Sequence, residues 1–168
     1  MKIAIEGIVR SVALAGLLLA PPWAAAGGLA GDRWLFSDRV EGVWDVKVTL
    51  TNCQTGAPLP FPGAQFDAMS LFAANGTFHD TNATNAALRS EAFGVWERTG
   101  LRRYRFAFRF FGFDASGLPI GSTIVRHDVV LSRDGRSYAS QGSAEFYDVS
   151  GIRMLPDGCS ISTATRFE

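Results

Sequence analysis

The chain has no excess of charge of either sign, little cysteine and no helical periodicity, and each of these removes a class of protein. Its 16 basic and 16 acidic residues cancel to a formal net charge of zero. Dedicated nucleic-acid binders and binders of anionic membranes carry a basic excess, so neither is expected. Gly-x-Ser-x-Gly is missing, which leaves a nucleophile elbow without support. Only two histidines occur, His79 and His127, in separate segments with no ligand spacing. No metal site and no cofactor are therefore expected. Beyond the first residues no segment keeps a period of 3.6 over three turns, which argues against helices.

The start of the chain reads as an export signal. Lys2 and Arg10 precede or flank a short apolar run, SVALAGLLLA at 11–20, and Ala24 and Ala26 stand in an A-x-A arrangement. The run is short of the ~20 apolar residues that span a bilayer. Cleavage is expected after Ala26, giving a signal peptide at 1–26, a flexible lead-in at 27–40 and one domain at 41–168. No cysteine near the junction offers a lipid anchor, so no membrane attachment is expected after cleavage. The mature protein would be secreted or periplasmic. In an oxidising compartment Cys53 and Cys159 read as one disulfide.

What remains is rich in phenylalanine, with 13, and in glycine, with 18. Turn signals fall at Asn75-Gly76, Thr99-Gly100, Ser116-Gly117, Asp134-Gly135, Ser150-Gly151 and Asp157-Gly158. Between them, segments near 43–53, 66–74, 77–81, 93–98, 101–113, 119–132, 136–148 and 159–167 alternate apolar and polar residues. The pattern predicts an all-β fold, a single antiparallel up-and-down barrel of about eight strands. In RRYRFAFRFF, Tyr104, Phe106, Phe108 and Phe110 share one face, and Arg103, Arg105, Ala107 and Arg109 the other. Aromatics and arginines that point apart cannot grip one nucleic-acid strand. Tyr138, Ser140, Gly142, Ala144 and Phe146 form a face that is small in its middle, which either leaves room for a ligand or fills a taper. Candidate pocket-lining residues are Tyr104, Phe106, Phe108, Phe110, Val125, His127, Val129 and Phe146. The Asn-x-Thr triplets at Asn75 and Asn82 match the glycosylation pattern and are expected to be unused.

A Cys53–Cys159 bond would set the end of the first strand against the start of the last, which is how a barrel closes. With the two cysteines directly opposite, Val46 would face Arg166 and Trp44 would stand one diagonal step away. Gly42-Val43-Trp44 opening the first strand, with Arg166 near the end of the last, resembles the lipocalin and wider calycin signature. That resemblance implies a tryptophan at the barrel mouth whose indole is covered by the arginine, giving Trp44 and Arg166 a structural role. The segments NCQTG, GVWERTG, LSRDGRSY and FYDVSG are similar to those of secreted bacterial proteins whose barrel also resembles allene oxide cyclase and dirigent proteins. The resemblance implies a barrel without implying a reaction. The leading expectation is an exported barrel that binds a small apolar or aromatic ligand. An alternative is an enzyme of the cyclase or isomerase sort, with His127, Tyr104 and Glu145 the first groups to test. A third is a structural or envelope protein. Catalytic residues are not assigned, and the oligomeric state is left open.

Overall fold

The computed structural model describes residues 39–167. The expected signal peptide and nearly all of the lead-in lie outside them. Eight strands run β1 (Gly42–Thr51), β2 (Gln65–Phe72), β3 (Thr77–Asn82), β4 (Ala92–Gly100), β5 (Arg103–Phe113), β6 (Pro119–Leu131), β7 (Ser137–Tyr147) and β8 (Arg153–Arg166). Each is antiparallel to its neighbours, and β8 returns to β1, so the sheet is a closed barrel in simple chain order. Closure leaves no unpaired strand edge open to association.

The alternation read from the sequence is the alternation of the wall. Tyr104, Phe106 and Phe108 are buried, whereas Arg103, Arg105 and Arg109 are exposed. Outside, Arg105 pairs with Asp128 and Lys47 with Asp67, each at 2.9 Å. Both pairs are more than half exposed and contribute little to stability. Inside, one half of the barrel is filled. Val40, Trp44, Phe72, Phe78, Val129 and Leu131 are fully buried there. Phe72 meets Phe78 edge-on at 4.8 Å, and Phe78 stacks on Phe106 at 4.5 Å. Each side chain of this size contributes roughly 1.5–3 kcal/mol by leaving water.

Several expectations shift in detail. Val40, placed in the flexible lead-in, is fully buried and accepts a hydrogen bond from Trp44 Nε1 at 2.8 Å, so the packed domain begins before residue 41. The β4–β5 turn is Leu101–Arg102, with Arg102 in the left-handed region at φ 54°, and Gly100 still pairs with Arg103. Strand β8 starts at Arg153, six residues before the expected 159. Pro156 hides this start from a sequence reading, because proline lacks the N–H a ladder needs. The wall absorbs it in an irregularity between Ala144 and Phe146, past which pairing resumes at Met154.

The cysteines are bonded, with Cα atoms 5.2 Å apart. The register differs from the one expected. Trp44 stands directly opposite Arg166, and Cys159 is opposite Thr51. The displacement arises because Cys53 lies past the end of β1, in a turn where Asn52 Oδ1 accepts from the backbone of Gln54 and Thr55. The bond therefore joins a loop to a strand rather than two facing strand positions.

Candidate functional site

The half of the barrel away from Trp44 is open. A cavity of about 800 Å³ runs in from the end that carries the β1–β2, β3–β4, β5–β6 and β7–β8 connections. Its size falls within the range of ordinary ligand pockets. Trp44 thus sits at the filled end, and the mouth is at the opposite end from the one the family resemblance implied. The disulfide stands at that mouth beside Leu59, Leu88 and Pro156. Another depression, of about 1,060 Å³, lies on the outer wall, edged by Asp45, Lys47, Asp67 and Thr163. It faces solvent-exposed side chains of the wall, and the buried polar groups described below cluster around the interior cavity instead.

Six of the eight candidate residues line the cavity: Phe106, Phe108, Phe110, Val125, His127 and Phe146. Tyr104 and Val129 do not. They belong to the filled half, where Tyr104 meets Trp96 edge-on at 5.9 Å. On the facing wall the lining comes from Val46, Val48, Leu50, Phe66 and Ala68. Phe106 and Phe108 extend a stacked column from Phe78 towards the mouth, and Phe110 ends it.

His127 is buried on β6 with both ring nitrogens occupied. Nδ1 lies 2.8 Å from Ser140 Oγ and Nε2 2.9 Å from Ser160 Oγ, and Ser140 in turn is 2.6 Å from Ser162 Oγ. A neutral imidazole satisfies this arrangement, one nitrogen donating and the other accepting. Burial holds its pKa down at about 4, and the neighbouring Asp128 only partly opposes this. Gly142, opposite His127 on β7, makes the ring's position possible. A Cβ there would meet the Arg126 carbonyl and stand 2.5 Å from His127 Cδ2.

A second polar group comes from β3 and the connection that follows it. Arg89 Nη2 donates to Asp80 Oδ1 at 2.8 Å, and Ser70 Oγ donates to Asp80 Oδ2 at 3.1 Å. Both charged side chains are only 9 % exposed. Burial pushes the Asp80 carboxyl up, while the Arg89 guanidinium and the Ser70 hydroxyl pull it back. The guanidinium lies over the Phe110 ring, 4.2 Å from its centre. Sequence reading missed this pair. Asp80 carried a signal, since it shares the parity of Phe78 and so points inward with it. Arg89 carried none, because it follows a short 3-10 turn, Ala86–Leu88, outside any alternating run.

The remaining groups set aside for catalysis are elsewhere. Glu145 faces outward, bonded to Arg126 at 2.9 Å and to the Tyr147 hydroxyl at 2.7 Å. His79 is on the outer wall against Phe93, so the two histidines stand on opposite faces. Asn75 and Asn82 build tight turns, their Oδ1 atoms accepting from Thr77 and Thr84. A scan against protein-family models matches none, and no curated protein matches the chain.

Proposed function

We propose that this is an exported, calycin-like barrel that holds a small apolar or aromatic ligand in its open half. The observation that carries the reading is the division of the interior. A barrel needing only a core would be packed from end to end, but here the buried cluster gives way along Phe106, Phe108 and Phe110 to a cavity of about 800 Å³ that these rings line together with aliphatic residues. The Trp44–Arg166 pair supports the calycin likeness, and the disulfide supports an oxidising compartment. Charged pairs on the outer wall favour a barrel in water over one with its outer face in lipid.

The cyclase or isomerase reading draws less from the geometry. A histidine with both nitrogens engaged and a pKa near 4 is a weak base at neutral pH. Ser160 and His127 resemble a nucleophile and its base, but the third member is the hydroxyl of Ser140 rather than a carboxylate.

A panel of fatty acids, terpenoids and aromatic compounds, followed by thermal melting, tests the binding reading. A ligand that binds only the folded barrel raises Tm with its concentration. No shift across the panel would remove it.

A further inference from the structure

Among the described residues, Arg89 Nε is the one buried side-chain nitrogen with no hydrogen-bond partner. Its side chain is nine-tenths buried and lines the cavity, and the guanidinium is already fixed by Asp80 through Nη2 and by the face of Phe110. By contrast, His127, Ser140, Ser160 and Ser162 satisfy one another. The interior therefore asks for one more acceptor, and it asks at Arg89.

Charge decides which acceptor. The Arg89 guanidinium and the Asp80 carboxylate sum to zero, the other lining carboxylate, Asp157, is paired with Arg153 at 2.6 Å, and no second cation lines the cavity. A ligand carboxylate placed at Arg89 would sit beside the buried Asp80, adding a negative charge with no compensating cation. A carbonyl oxygen meets the same N–H without that cost. We propose that the cavity selects ligands with an apolar body and one uncharged carbonyl, a ketone, aldehyde or ester, seated on Arg89. The inference rests on the binding reading above and narrows it to a ligand class. The body would lie along Phe106, Phe108 and Phe110, which lead from the filled half to the ring that Arg89 covers.

The test uses matched sets on two bodies: dodecane, 2-dodecanone and dodecanoate, and 2-ethylnaphthalene, 2-acetylnaphthalene and 2-naphthoate. Affinities are measured by competition with a fluorescent apolar probe. On the body that fits, the ketone should bind about tenfold tighter than both the hydrocarbon and the carboxylate, as expected for one hydrogen bond to a charged donor. Asp80→Asn keeps the shape and leaves Arg89 uncompensated, so the carboxylate should then overtake the ketone. Should that variant fold poorly, the double change Asp80→Asn with Arg89→Met removes the pair, and the ketone-to-hydrocarbon ratio should fall to about one. Equal binding of hydrocarbon and ketone in the unaltered protein, or a carboxylate preference there, overturns this inference while leaving the binding reading in place. No displacement by any of the six overturns both.

Discussion

Arg166 lies across the ring of Trp44, its guanidinium carbon 4.3 Å from the ring centre, and the two residues are direct cross-strand partners where β8 closes on β1. The same guanidinium donates to the carbonyls of Glu41, Arg39 and Gly135 at 2.7, 2.9 and 3.1 Å. It thereby ties the entry to β1 and the β6–β7 turn to the end of the last strand. Gly42, with φ at 132°, leaves the space this needs, since a Cβ would stand 2.5 Å from Arg166 Nη1. Arg166→Ala should lower stability by about 2–4 kcal/mol, from a cation–π contact and several charge-assisted hydrogen bonds lost together. It should also shift tryptophan emission, and that shift should disappear in a Trp44→Phe background. A melting temperature unchanged by Arg166→Ala would leave the closure without its assigned clasp.

The disulfide joins residues separated by 106 positions. Replacing both cysteines with serine should cost about 4–5 kcal/mol on the chain-entropy account. Denaturant unfolding of the oxidised protein and the double variant measures it. The bond sits in a loop and at the cavity mouth, so ligand affinity should also change. A purely thermodynamic staple would leave affinity alone.

His127 makes the stability of the barrel sensitive to acid. Its folded pKa is about 4 against an ordinary 6.5, because charging it would bury a cation. Between those values the unfolded chain takes up the proton and the folded barrel does not. The contribution is thus complete above about pH 6.5 and is lost as pH falls towards 4, amounting to about 3 kcal/mol. Asp80, raised by burial, works the other way, and the stability contributed by the carboxylates of Asp114, Asp134 and Glu145, lowered by their hydrogen bonds, is lost at lower pH still. Comparing the protein with His127→Gln cancels those shared terms. The difference in stability between the two should change sharply from pH 6.5 to 4; a constant difference would mean that the ring is hydrated.

Phe106 and Phe108 are neighbours in one stacked column and should respond differently to truncation. Phe106 is enclosed by Phe72, Phe78 and His127. Phe106→Ala should cost about 3–5 kcal/mol, the usual range for an enclosed aromatic. Both rings line the cavity, but Phe108 stands one step nearer the mouth, between Phe106 and the half-buried Phe110. Phe108→Ala should cost about 1–3 kcal/mol and change the size preference for apolar probes. Equal losses with no effect on probes would describe a filled interior.

Much of this architecture is written locally. Alternation of period two, with glycine-containing turns between the runs, placed all eight strands and the inward faces of β5 and β7, because side chains of an extended chain alternate whatever else surrounds them. The partnership of Trp44 with Arg166 was implied by the calycin resemblance, and the disulfide by an export signal on a chain with only two cysteines. What tertiary structure decided was whatever depends on distance through space. The β1–β8 register hinged on whether Cys53 ends a strand or enters a turn, a choice made by the Asn52 side chain and the loop around it. Which half of the interior is filled depends on how the large side chains of β1, β2, β3, β5 and β6 converge at one end while serine, alanine and glycine face one another at the other. The meeting of Asp80 with Arg89 joins a strand to an irregular connection that carries no period at all. Periodicity assigns a side chain to a face of the wall; the volume left inside is a property of all eight strands at once.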